Sequence, residues 1–123
     1  MGGPGDVEAC QAVAQSLASP VTDLSGKTTT LELAHWLAHS SFILCHDSGP
    51  MHLAAFLRKP AVAIFGSTEP AWTGPIGSSV TVVRHKVSCS PCFLKTCPID
   101  RRCMTRLTPA EVLTSCVQRL KQK

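Results

Sequence analysis

Tyrosine is absent from the 123 residues, and the aromatic side chains are four Phe and two Trp. So few stacking platforms argue against a single-strand nucleic-acid binder, and no nucleic-acid partner is expected. No apolar run approaches the ~18 residues of a membrane-spanning helix. The first residues lack the charged-then-apolar layout of a secretory signal, and Asp6 stands where a myristoylation motif wants Ser or Thr. A cytoplasmic chain is expected on those grounds. There is no Asp-x-Asp pair of the kind that carries a divalent cation, no internal repeat and no low-complexity linker. Charged residues are sparse, at 16%, and their formal balance of +4 mildly favours anionic partners.

Apolar residues, by contrast, make up 44% of the chain, enough for one domain, 1–123, with a buried core. Their spacing predicts an element order. Asp6 caps a helix whose stripe is Cys10, Val13, Ala14, Leu17 and Ala18, and Pro20 ends it. Val21 to Leu24 reads as a short strand. Thr29 and Glu32 have capping-box spacing and open a second helix carrying Leu31, Leu33, Ala34, Trp36, Leu37 and Ala38. Phe42 to Cys45 is apolar without alternation, as in a strand covered on both faces. Gly49 and Pro50 suit the N-cap and first position of a third helix, with Leu53, Ala54 and Leu57 inward and Arg58-Lys59 at its negative end. Ala61 to Phe65 is a second buried strand, and Ser79 to Arg84 alternates as a strand nearer an edge. Thr108-Pro109-Ala110-Glu111 opens a final helix lined by Val112, Leu113, Cys116, Val117 and Leu120. The order is that of an α/β fold with an open parallel sheet. Gly2-Gly3-Pro4-Gly5-Asp6 looks like the turn after a strand that is missing, so the chain is expected to be the second part of something larger.

In open parallel sheets, ligands bind beyond the carboxyl ends of the strands. GGPGD, TDLSGKT, HDSGPMH and FGSTEP all fall where such loops should lie. In HDSGPMH the helix start offers backbone N–H groups at Ser48, Gly49, Met51 and His52, and the helix dipole adds roughly half a positive charge. Phosphate is the natural guest. Ser48 can add a hydroxyl donor and His52 a ring N–H, whereas Asp47, itself anionic, is suited to accept from sugar hydroxyls. The plainer reading is that Asp47-Ser48 only caps a helix.

Three other signals point elsewhere. SGKTT imitates the end of a phosphate-binding P-loop, but its first glycine would fall at Val21, which excludes an ATPase. His35 and His39 have zinc-protease spacing, yet Trp36 replaces the needed glutamate, so an amphipathic helix is expected. Cysteines number seven, an odd count that argues against a complete disulfide framework. Cys10, Cys45 and Cys116 fall on apolar faces. Cys89, Cys92, Cys97 and Cys103, in a loop at 88–104, could close a tetrahedral zinc site, hold an iron-sulfur cluster, form disulfides or stay as free or reversibly oxidised thiols. Such a metal would order the loop rather than perform chemistry.

GGPGD, DLSGKTTTLELA, HDSGPMHLAA, KPAVAIFGSTEPAWTGP, CSPC, CPIDRRCM and LTPAEV follow one another in an order and spacing that resembles the carboxyl-terminal half of glycosyltransferase family 9. These are the ADP-heptose:lipopolysaccharide heptosyltransferases of Gram-negative bacteria. The resemblance implies a GT-B architecture of two Rossmann-like domains, with the donor nucleotide sugar held mainly by the second. It implies that Ser48, Gly49, Met51 and His52 hold the donor diphosphate and that Asp47 contacts the donor sugar. Gly26, Lys27 and Thr28 match a loop near adenine and ribose, and Gly2 and Gly3 a nearby glycine turn. Thr68 and Glu69 lie in the loop after the next strand. His46 stands where the family often has Asn. Inverting transfer independent of metal is implied, with no cofactor required, and a lipopolysaccharide core acceptor is implied at the inner face of the inner membrane, by peripheral association. The acceptor site and general base belong to an amino-terminal domain absent here, so no catalytic residue is expected within this chain, and the chain alone is expected to be inactive. The alternative is a non-catalytic nucleotide-binding or metal-stapled interaction module from a truncated gene.

Overall fold

The computed structural model describes residues 1–122. The chain falls into two units, Met1–His35 and the remainder from Trp36 onward. In the first unit a 3-10 turn, Pro4–Asp6, leads into helix α1, Val7–Ser16. Asp6 does not cap α1 through its side chain; its Oδ2 accepts from the Gly3 N–H at 2.8 Å. Helix α2, Thr30–His39, begins as its capping box requires, with Glu32 Oε2 accepting from both the N–H and the hydroxyl of Thr29 at 2.8 Å.

Two expectations fail here. Val21 to Leu24 is not a strand, because local bonds take its place. Asp23 Oδ1 accepts from the Ser25 N–H at 2.9 Å, and the Lys27 N–H reaches the Leu24 carbonyl at 3.2 Å. The apolar stripe of α1 is also not buried within its unit. Val13 and Leu17 are exposed and no residue of α1 counts as core.

The second unit is built on a parallel three-stranded sheet in the order β1-β2-β3: β1 is Ile43–His46, β2 Ala61–Phe65 and β3 Val80–Arg84. Ile43 pairs with Ala61 and Ala61 with Val80, so the three strands start in step. Helix α3, Gly49–Phe56, makes the crossover from β1 to β2. The short helix α4, Pro70–Thr73, follows β2. Helix α5, Arg102–Thr105, lies in the cysteine-rich segment, and α6, Pro109–Lys121, closes the chain. β2 is central and reads as predicted, with Ala61, Val62, Ala63 and Phe65 fully buried. β1 does not. Paired, among the described residues, on one side only, it keeps Ile43 buried but leaves Leu44 and His46 exposed.

Met51 and Ala54 form the inner face of α3 and are fully buried, with Phe65 beneath the same core. Removing side chains the size of Met51 and Phe65 from water stabilises the fold by about 1.5–3 kcal/mol each. Leu53 and Leu57 are only half-buried. α3 ends in a Schellman arrangement: the Arg58 N–H bonds the Ala55 carbonyl at 3.0 Å and the Lys59 N–H the Ala54 carbonyl at 2.9 Å, with Arg58 left-handed at φ 52. Lys59 does not serve α3 itself. Its Nζ donates to the Ala38 carbonyl, in the last turn of α2, at 2.7 Å. Along α6 the capping box forms as predicted, but Leu113, Val117 and Leu120 are exposed, while Val112, Cys116 and Arg119 are half-buried. The inward face is rotated from the one predicted. No helix among the described residues is long and apolar enough to cross a membrane.

Candidate functional site

Asp47 sits where β1 runs out. Its N–H continues the sheet pattern by donating to the Ile64 carbonyl at 3.0 Å, which pins the residue beside the end of β2. Its side chain is held from the far side. Thr73, at the end of α4, donates its hydroxyl to Asp47 Oδ2 at 3.1 Å. α4 stands where it does because Glu69 caps it, accepting from the Ala71 N–H at 3.3 Å, and Pro70 supplies a preset first position. The other work of Glu69 is an ion pair with Arg84 at 3.1 Å, the last residue of β3. The hydrogen bond from Arg84, then that of the Ala71 amide, hold the Glu69 carboxyl below its ordinary range.

The start of α3 is less simple than the sequence suggested. Ser48 is the N-cap residue, one position earlier than predicted, and its hydroxyl donates back to the His46 carbonyl at 3.1 Å instead of capping. The Met51 N–H is also engaged, by the Ser48 carbonyl at 3.0 Å, and the Met51 side chain is core. Gly49 opens the helix onto empty space: a Cβ built there would meet nothing within 4 Å. His52 is exposed and lines an open groove of about 680 Å³ with Phe56, Arg58, Ile76 and Arg119, away from the cavity that Asp47 lines.

That cavity, about 260 Å³, lies over the ends of β1 and β2, between Asp47, Gly66, Ser67 and Thr68 on one side and the cysteine-rich loop on the other. Three hydrogen bonds tie the loop down. The N–H groups of Cys92 and Phe93 both donate to the Ser67 carbonyl at 2.9 Å, and Ser90 Oγ donates to the Gly66 carbonyl at 3.1 Å. Phe93 stacks on Trp72 of α4, ring centres 5.6 Å apart. Gly66 is where the strand lets Met104 approach: a Cβ there would lie 2.7 Å from the Met104 Sδ.

All four loop cysteines line the cavity. Among the described residues, however, no three Cys, His, Asp or Glu side chains converge as metal ligands do, and all seven cysteines are free thiols. The tetrahedral thiolate site suggested by the spacing is not assembled in this arrangement. The Cys97 sulfur accepts from the Arg101 N–H at 3.4 Å. The amides of Ile99 and then Arg101 draw its thiol below the ordinary cysteine range. Cys45 behaves oppositely, pushed up to about 11 by burial.

In the first unit the two glycine turns meet. The Gly26 N–H donates to the Gly2 carbonyl at 2.9 Å, and Gly26 needs its left-handed φ of 67 to do so. Gly3 is held by Asp6, and Lys27 Nζ donates to the Asp23 carbonyl at 3.0 Å, with Thr28 next in the chain. Asp47, named from the sequence, lines the cavity, and the two glycine-containing segments named from it pack on each other in the first unit. Sequence reasoning missed Thr73, whose helix was signalled by Glu69-Pro70, and it missed the roof that the cysteine-rich loop makes.

Comparison with known proteins gives the same frame. The sequence model of glycosyltransferase family 9 (heptosyltransferase) matches residues 1–102. Lipooligosaccharide heptosyltransferase 2 of Campylobacter jejuni is 35% identical over 97% of this chain, and lipopolysaccharide heptosyltransferase 1 of Pseudomonas aeruginosa 35% identical over 67% of it. The chain spans 39% and 27% of those proteins' lengths. The Escherichia coli ADP-heptose lps heptosyltransferase II structure superposes with a TM-score of 0.82 at 26% identity, over 98% of this chain and 35% of that one. A glycosyl transferase family 9 structure from Veillonella parvula superposes equally well, 0.82 at 22% identity, and supports the fold. A Rossmann-like parallel sheet, the matched run of motifs and these likenesses agree: this chain belongs to glycosyltransferase family 9, the heptosyltransferases.

Proposed function

We propose that this chain is the donor-binding part of an inverting, metal-independent glycosyltransferase of lipopolysaccharide core synthesis, taking ADP-heptose or a related nucleotide sugar. The observation that carries the reading is Gly49. Its φ is not left-handed and a Cβ would meet nothing, so the protein's own packing gives no reason for a glycine there. Clearance over a helix start, one residue beyond the Ser48 N-cap and two beyond Asp47, is what an approaching diphosphate needs. Asp47, oriented by Thr73, accepts hydroxyls of the donor sugar, and the α3 dipole stabilises the negative charge that develops on the leaving diphosphate. Gly2, Gly3, Gly26, Lys27 and Thr28 serve the nucleoside.

Transfer itself needs an acceptor site and a general base to deprotonate the acceptor hydroxyl. We assign both to parts that the longer relatives have and that these 123 residues do not match, since the chain spans 39% of the Campylobacter jejuni protein. The acceptor is a lipopolysaccharide core, met at the cytoplasmic face of the inner membrane.

Gly49→Ala tests the reading. The variant should fold with unchanged or raised melting temperature, because alanine suits a helix better than glycine by about 1 kcal/mol. Its affinity for ADP and ADP-heptose by calorimetry should fall about tenfold or more, a loss of about 1.4 kcal/mol. Unchanged affinity in a folded Gly49→Ala protein rejects this placement of the diphosphate.

A further inference from the structure

We infer that Cys97 and Cys103 are an oxidant-sensitive thiol pair, whose reversible disulfide clamps the roof over the ends of β1 and β2. The pairing does not depend on the donor reading, although the roof that it clamps stands over Asp47.

The four cysteines of the loop at 88–104 all line one cavity of about 260 Å³, whereas Cys10, Cys45 and Cys116 lie outside it. Cys89 and Cys92 are exposed, but Cys97 and Cys103 are half-buried. These two are also joined through one residue. The Cys97 sulfur accepts from the Arg101 N–H at 3.4 Å, and the Arg101 carbonyl accepts in turn from the N–H groups of Met104 at 2.8 Å and Thr105 at 3.0 Å. Arg101 thereby fastens Cys97 to the single turn of α5 that carries Cys103. From the other side Cys103 rests against the sheet, because a Cβ built at Gly66 would lie 3.6 Å from its sulfur.

A pair of thiols on one short segment suits a reversible disulfide better than a metal centre. Among the described residues no three ligating side chains converge, and both thiols are free. The bond therefore forms as the segment between them draws in. Residues 98–101 are exposed, so they can adjust without disturbing the core, while the hydrogen bonds of Ser90, Cys92 and Phe93 to Gly66 and Ser67 keep the rest of the roof in place.

The oxidant is a hydroperoxide. The Cys97 sulfur, toward which the Arg101 N–H points, attacks one peroxide oxygen as its thiolate; the O–O bond breaks, hydroxide leaves, and the sulfur becomes a sulfenic acid. The Cys103 sulfur then attacks that sulfur, the S–S bond forms, and the sulfenic oxygen departs as water with the Cys103 proton. In sum, two thiols and one hydrogen peroxide become a disulfide and two waters. A dithiol returns both electrons by exchange.

The test is titration of the reduced 123-residue protein, purified without chelator, with hydrogen peroxide, followed by proteolysis and mass spectrometry under non-reducing conditions. About one equivalent should join Cys97 to Cys103 and leave two fewer titratable thiols than the seven of the reduced chain, and dithiothreitol should restore both. In Cys103→Ser, oxidation should stop at the Cys97 sulfenic acid, trapped by dimedone at least about tenfold faster than at Cys10, Cys45 or Cys116. In Cys97→Ser no disulfide should form within the loop. Hydrogen exchange of the amides at 98–105 should slow when the parent is oxidised and not when Cys103→Ser is. A disulfide that omits Cys97 or Cys103, thiols that all survive excess peroxide, or a zinc ion held by the four loop cysteines of the purified chain would overturn the inference.

Discussion

The Thr73 hydroxyl lies 3.1 Å from Asp47 Oδ2, joining residues 26 positions apart in the chain. This contact makes the loop after β2 a support for the end of β1. Thr73→Val keeps the shape and removes the donor. Because one such bond contributes about 0.5–1.5 kcal/mol, nucleotide-sugar affinity should fall roughly threefold to tenfold with little change in affinity for ADP, which lacks the sugar. Parallel calorimetric titrations with the two ligands check it. Equal losses for both would show that Thr73 acts on the fold and not on Asp47.

Two glycines near the site should respond differently to alanine. At Gly74 a Cβ would lie 2.2 Å from the Pro70 carbonyl oxygen, backbone that cannot give way without opening α4. Gly74→Ala should destabilise by about 1–3 kcal/mol and weaken sugar binding through Thr73. At Gly66 the obstruction is the sulfur of Met104, the far part of a flexible side chain. Gly66→Ala should cost under about 1 kcal/mol, since methionine repacks easily. Urea denaturation of both variants decides the ranking.

Arg58 ends α3 at φ 52, where glycine is the usual residue. Arg58→Gly should relieve about 1 kcal/mol of backbone strain. The melting temperature should rise by roughly 2–6 °C. A fall on differential scanning calorimetry would mean that the Arg58 side chain makes up for its backbone.

Acid should weaken the fold through Glu69. Its folded-state pKa lies below the ordinary value of 4.5, chiefly because Arg84 hydrogen-bonds the carboxylate. A depressed carboxyl adds stability that is present above the unfolded value and is lost as pH falls through the folded one. Glu111, lowered by the Thr108 hydroxyl and amide, acts in the same direction. Glu69→Gln should therefore flatten, without abolishing, the decline of the denaturation midpoint between about pH 6 and pH 3. An unchanged slope would show that the Arg84 pair adds nothing in solution.

The legible parts of the fold were those set by local rules. Thr29-Glu32 and Thr108-Glu111 announced their helices, and the unbroken apolar run Ala61 to Phe65 announced the central strand. Harder to read was anything decided by a neighbour. Phe42 to Cys45 looks doubly covered in one dimension, but among the described residues β1 pairs on one side only and leaves Leu44 open. Leu113, Val117 and Leu120 share a stripe with residues that do face the sheet, and spacing alone does not say which part of a broad stripe turns inward. At the site, Asp47 was visible because a carboxylate after an apolar strand is unusual. The contact from Thr73 was not, because nothing in the sequence says that the loop after β2 folds back over the end of β1.

The claim at the centre of this account is that the loops leaving β1 and β2 hold the diphosphate and sugar of a nucleotide donor. Mapping backbone amide shifts of the isotopically labelled chain during titration with ADP-heptose tests it most directly. The largest shifts should fall at Asp47, Ser48 and Gly49 and in the Gly66, Ser67 and Thr68 turn, and Gly49→Ala should need about tenfold more ligand to reach them. Shifts confined to the groove of His52, Phe56 and Arg119, or none at millimolar ligand, would contradict it.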